Sequence, residues 1–136
     1  MTSKSFLLTW RRPIAHDAPY HRGHDQSLAR MAFLAISALG DLASRGPGQA
    51  ADGISSLDGL VIGGGDDIDL TLYGGTLDLK IRYDPERDAL ERALLEAATD
   101  QPLTILGVCR GAQMLALWRG GNLIQDIYTH YPDLPR

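Results

Sequence analysis

Short apolar runs alternate along the chain with stretches whose apolar residues recur every three or four positions. Residues 6–10 (FLLTW) form such a run, stopped by Arg11, Arg12 and Pro13, which predicts a buried strand entering a loop. After a segment of mixed Pro, Gly, Asp and His, the residues Leu28, Met31, Leu34, Ala35, Ala38 and Leu39 predict an amphipathic helix ending near Gly40. Residues 44–56 (SRGPGQAADGISS) carry neither period and are expected to form a loop. A second buried strand is predicted at 57–62 (LDGLVI), stopped by Gly63, Gly64 and Gly65. Further on, Asp84 and Pro85 read as the N-cap and first residue of a helix ending near Thr99, with Leu90, Ala93, Leu94 and Ala97 as its buried stripe. A third apolar run, 103–108 (LTILGV), leads to Cys109 and a helical segment at 112–119 that Gly120 and Gly121 terminate. Strands alternating with helices, and strands apolar without interruption, predict an α/β fold whose parallel sheet is covered on both faces.

Composition narrows this to one domain over residues 1–136, since 44% hydrophobic and 22% charged residues are ordinary for a single globular unit. The formal net charge of -4 repels phosphate backbones at long range, so no nucleic-acid partner is expected. Near the start, the apolar stretch before Arg11 is too short for a signal peptide or a membrane span. The single cysteine, Cys109, forms neither an internal disulfide nor a multi-cysteine zinc site and suits a reducing compartment. A cytoplasmic protein without a membrane partner is the expectation.

The sharpest chemistry lies at Gly107-Val108-Cys109-Arg110-Gly111, where a strand meets a helix through a G-x-C-x-G turn, the thiol counterpart of the nucleophile elbow. A nucleophile lifted out of so sharp a turn leaves no room for side chains two residues before and after it, hence the two glycines. The helix N-terminus beside the sulfur favours the thiolate. The same geometry aims the Arg110 N–H at the oxygen of a carbonyl under attack. Upstream, the strand ending in Gly63-Gly64-Gly65 is followed by Asp66, Asp67 and Asp69, which would repel a phosphate, and no Lys-Ser/Thr follows the glycines. A phosphate cradle is thereby rejected. The glycine turn is instead expected to aim a second N–H at the Cys109 site, where an oxyanion would form.

Three segments, DGLVIGGGDDIDLTLYGG, YDPERDALERALLEAA and LTILGVCRGAQMLALWRGGNLIQDI, resemble in order and spacing the class I glutamine amidotransferase superfamily over residues 58–127. Within it the closest likeness is to the peptidase C26 branch, which includes gamma-glutamyl-gamma-aminobutyrate hydrolase. The resemblance implies a three-layer, flavodoxin-like parallel sheet with the site at the carboxyl ends of its strands. It further implies Cys109 as nucleophile, backbone oxyanion donors at Gly64 or Gly65, and Gln113 as a residue holding the glutamyl part of the substrate. The implied substrate is a small-molecule gamma-glutamyl amide or glutamine, cleaved through a glutamyl thioester. No cofactor and no metal are expected, because neither the His21-Arg22-Gly23-His24 group nor the three aspartates has the spacing of a zinc or calcium site.

The chain departs from the family pattern in three places. Leu70 stands where a proline is usual; the stretch between Leu39 and Leu57 offers no apolar run, so one strand is expected to be missing or shortened; and the family's H-x-E segment lies downstream of anything present here. His130, His16, His21 and His24 have no carboxylate at a recognisable spacing and are not expected to replace that histidine. The domain is therefore expected to be C-terminally incomplete, with His and Glu supplied by a missing segment or through a homo-oligomer. Two other readings stay open from the residues alone: a non-catalytic remnant that binds a ligand or partner, and a redox-responsive thiol protein.

Overall fold

The structure, a computed structural model, describes residues 4–9, 40–45, 54–76 and 81–135. Four short strands, β1 (Lys4–Thr9), β2 (Gly40–Arg45), β3 (Gly59–Ile62) and β4 (Thr104–Gly107), pair in parallel in the order β2-β1-β3-β4. That order is the start of a flavodoxin-like doubly wound sheet, whose ligand sites open at the carboxyl edge. Alternation along the strands sends Leu7, Leu60 and Ile62 to one face and Leu8 and Val61 to the other, all buried. The expected α/β architecture holds.

The longest described helix, α1 (Pro85–Ala98), begins where its residues dictate: Pro85 occupies the first turn and the Asp84 carboxylate accepts the Arg87 N–H at 3.2 Å. It packs Leu90, Leu94, Leu95 and Ala98 onto the first sheet face, together with Met114 of α2 (Arg110–Trp118). Short turns complete this side. In the 3-10 turn Leu70–Tyr73, the Asp69 carboxylate accepts the Thr71 N–H at 2.9 Å and Gly74 closes the turn in the left-handed region at φ 72°. Leu70, at the position where the resemblance led us to expect proline, is a buried core residue. The final element, α3 (Ile127–His130), is capped by Asp126 accepting from Tyr128 N–H. Among the described residues, no helix is long and apolar enough to cross a membrane.

Three expectations need correction. The strand expected to be missing or shortened between Leu39 and Leu57 exists as the six-residue β2, and it takes in Ser44 and Arg45 from the expected loop. GDLASR needs no apolar run to pair, because its bonds to β1 are made by main-chain groups. Second, Leu90 and Leu94 are buried as expected but Ala93 and Ala97 are exposed, and the buried stripe of α1 starts with charge, running Arg87, Asp88, Leu90, Glu91, Leu94, Leu95 and Ala98. Third, one face of β4 has no cover among the described residues, where Thr104 is exposed and Leu106 is 53% exposed. Its apolar run reads as doubly covered, yet β4 has a described neighbour, β3, on one side alone. The predicted helix with Leu28 to Leu39 spacing lies outside the described residues.

Candidate active site

β4 ends at Gly107 and α2 begins at Arg110, leaving two residues to reverse the chain. Cys109 takes up the strain at φ 54° and ψ -113°, and it is the one non-glycine residue with positive φ among those described. Such a conformation costs about 1–3 kcal/mol and persists only where its surroundings hold it. The glycines of the motif explain how they do. A Cβ on Gly111 would stand 2.0 Å from the Ile62 carbonyl oxygen, and one on Gly107 would stand 2.6 Å from the Gly111 carbonyl oxygen. With both side chains absent, α2 rests directly on the end of β3, and the Val108 N–H donates to the Ile62 carbonyl at 2.9 Å. Cys109 is left exposed at the carboxyl edge.

Amide geometry at this turn is selective. Gly111 and Ala112 donate to the carbonyls of Val108 and Cys109, each at 2.9 Å. Among the described residues nothing accepts the Arg110 N–H, nor the N–H groups of Gly64 and Gly65 in the neighbouring turn. Gly63 differs from those two: its N–H donates to Thr9 Oγ1 at 3.3 Å, and a Cβ there would meet the Thr9 carbonyl at 2.3 Å. Its lack of a side chain serves packing on β1. Gln113, one turn along α2 from Cys109, is exposed and its N–H reaches the Cys109 carbonyl at 3.4 Å.

Behind both turns lies a buried charge network that the sequence reading missed. From α1, the Arg87 guanidinium donates to the carbonyls of Gly63 and Gly64, each at 3.0 Å, and through Nε to Glu91 Oε1 at 2.7 Å. Glu91 also accepts from Thr9 Oγ1 at 2.8 Å and from the Arg110 guanidinium, whose other nitrogen reaches Asp88. Asp88 in turn accepts the Asp69 N–H at 2.9 Å. Two guanidinium groups thus face two carboxylates in the interior, and no buried side-chain nitrogen or oxygen among the described residues lacks a partner. Burial pulls Arg87 down from its ordinary pKa, with Glu91 opposing, and pushes the Asp88 carboxyl up against the pull of the Asp69 N–H and Arg110. The only hint in the sequence was position: Arg87 and Glu91 stand one turn apart and in line with Leu94, Leu95 and Ala98.

The acidic group after the glycines divides by role. Asp69 caps the following turn, whereas partial burial first, and the Asp66 charge second, hold the Asp67 carboxyl above its ordinary value. Folding therefore favours protonated Asp67, a contribution fully present below pH 3.8 and lost as pH rises through the raised value. Asp67→Asn is expected to raise stability at neutral pH, by less than about 1 kcal/mol given solvent screening, with the relative gain gone at about pH 3. Urea melts at both pH values check this, and a larger gain at the acid end would contradict it.

His130 stands apart. It packs edge-on against Tyr131 and lines a groove of about 650 Å³ with Tyr73, Thr76, Gln125 and Thr129, a groove to which Cys109 does not contribute. His16, His21 and His24 lie outside the described residues.

Comparison with known proteins gives a consistent picture. The peptidase C26 family model matches residues 26–134. A glutamine amidotransferase-like protein of Lactococcus lactis subsp. lactis is 41% identical over 75 residues, which is 54% of this chain and 32% of that protein. Gamma-glutamyl-gamma-aminobutyrate hydrolase of Escherichia coli O157:H7 is 38% identical over 71 residues, 52% of this chain and 28% of the enzyme. The chain thus spans about a third of the length of these curated relatives.

Proposed function

The chain belongs to the peptidase C26 family, and from that premise we propose that it carries the nucleophile half of a gamma-glutamyl amide hydrolase. The Cys109 thiolate adds to the gamma-carbonyl carbon of glutamine or a gamma-glutamyl amide, and the electron pair displaced onto oxygen forms a tetrahedral oxyanion. Collapse breaks the C–N bond, the amine leaves with a proton, and water then hydrolyses the glutamyl thioester to release glutamate and restore the thiol. Arg110 N–H and the N–H groups of Gly64 and Gly65 are the donors for the oxyanion, and Gln113 contacts the glutamyl part. The observation that carries this reading is the strained, exposed Cys109 at the head of α2, with amides on both adjoining turns that no described residue uses.

Thiolate attack needs no further group, but protonating the amine and activating the water are each worth typically about 10²–10⁴-fold. We assign those transfers to a His and Glu in polypeptide other than residues 1–136, brought to the carboxyl edge where Cys109 is exposed. Attack by Cys109 should therefore be separable from turnover. A glutamine-derived diazoketone takes up a proton and loses N2 as the C–S bond forms, so the chain is expected to gain one covalent adduct, mapped by mass spectrometry to Cys109 and absent from Cys109→Ala. A diazoketone without the amino-acid portion should react far more slowly. Equal labelling by both reagents, or labelling only after denaturation, would reduce Cys109 to an ordinary thiol.

A further inference from the structure

We propose that Arg87 is a positioning residue which locks two peptide planes of the glycine turn so that the Gly64 and Gly65 N–H groups face the site; this rests on the oxyanion reading above. The argument is covalent geometry. A trans peptide is planar, with its C=O and the following N–H fixed on opposite sides. Whatever holds the Gly63 carbonyl therefore orients the Gly64 N–H, and whatever holds the Gly64 carbonyl orients the Gly65 N–H. One guanidinium does both, with its two terminal nitrogens 3.0 Å from the two carbonyl oxygens. Both N–H groups consequently point away from Arg87, out of the buried network, where no described residue accepts them.

Glycine makes such a lock necessary. Without a Cβ, consecutive glycines cross between backbone regions at little steric cost, and a flipped plane would present a carbonyl oxygen where a donor is required. The guanidinium is itself held: Nε bonds Glu91 Oε1 at 2.7 Å, and Glu91 is fixed by Thr9 from β1 and by Arg110 from the elbow. Thr9 Oγ1 closes the circuit by accepting the Gly63 N–H. Through Glu91 the glycine turn and the elbow share one rigid support, which sets the donors on the two turns in register. A planar fork suits this task, and a lysine ammonium, a point donor on a flexible stem, does not reproduce it.

Two reagents acting on the same sulfur separate positioning from folding. Iodoacetamide alkylates Cys109 by displacing iodide and forms no oxyanion. p-Nitrophenyl acetate is attacked at its carbonyl carbon: the C–S bond forms, an oxyanion develops, and its collapse breaks the C–O bond to release p-nitrophenolate. In the full chain, Arg87→Lys is expected to lower the acylation rate roughly ten- to a hundred-fold, short of the loss typical for deleting a donor outright. The alkylation rate should stay within about three-fold of the native value. Arg87→Gln, whose carboxamide has one donor nitrogen where the two carbonyls meet two, should lower acylation in the same way. An unchanged ratio of the two rates, or an equal fall in both, would overturn the lock. A native ratio no higher than that of N-acetylcysteine would instead overturn the oxyanion reading itself. Should neither variant fold, ¹⁵N relaxation of the native chain decides: order parameters near 0.85 at Gly64 and Gly65 are expected, and values below about 0.6 would refute a lock.

Discussion

Gly111→Ala is expected to cost about 3 kcal/mol or more, a large part of the roughly 5–15 kcal/mol that holds a domain folded. The added Cβ would lie 2.0 Å from the Ile62 carbonyl oxygen and 2.6 Å from its carbon, both backbone atoms of a central strand. No rotamer change relieves such a clash, so α2 must lift away from β3. Lifting it strains the Val108 N–H to Ile62 bond and removes the support that holds Cys109 at positive φ. Stability and thiol geometry should therefore fail together. Gly120→Ala is the control: its φ is +81° but nothing lies within 4 Å of an added Cβ, so only the left-handed strain of about 1–2 kcal/mol applies. Urea denaturation of the two variants checks the contrast, and a Gly111→Ala penalty no greater than that of Gly120→Ala would refute the close approach of α2 and β3.

The same contrast explains why the elbow was legible in the sequence while other features were not. A turn that forces backbone against backbone admits one residue type at Gly107 and Gly111, so the requirement is written as identity. The start of α1 is equally explicit, because Asp84 and Pro85 satisfy a local need that no distant partner alters. β2 has no such mark, since its hydrogen bonds to β1 are made by main-chain groups every sequence possesses. The charge network is concealed in another way. Arg87, Asp88 and Glu91 read locally as part of a solvated helical face, and their burial becomes sensible only when Arg110 arrives from 19 residues beyond Glu91. The sequence reading placed Arg110 at the site for its N–H alone; its side chain proves to anchor the elbow to α1.

Glu91→Leu is expected to destabilise the chain by about 3–5 kcal/mol, the range for breaking a buried ion pair by removing one partner. Glu91 joins the two guanidinium groups of the network, fully buried, paired with Arg87 and Arg110 and accepting from Thr9. The native interior balances two guanidinium groups with Asp88 and Glu91; without Glu91, two positive charges face Asp88 alone. Leucine fits the volume, so the loss reflects uncompensated charge more than a cavity. Removing the cation left without a carboxylate should then restore stability: Arg87→Met combined with Glu91→Leu leaves Arg110 paired with Asp88 and is expected to be more stable than Glu91→Leu by at least about 1 kcal/mol. A double-mutant cycle in urea measures this directly. Additive losses would mean that Arg87 and Glu91 are not coupled, and a Glu91→Leu penalty below about 1 kcal/mol would mean that water reaches the network. Because Asp88 still accepts from Arg110 and from the Asp69 N–H, the double variant keeps α1 tied to the elbow and to the loop beyond the glycines, yet it releases the carbonyls of Gly63 and Gly64. Cys109 in that variant should remain alkylable while losing its advantage toward carbonyl reagents, which separates the energetic role of the ion pairs from their role in aligning the two turns.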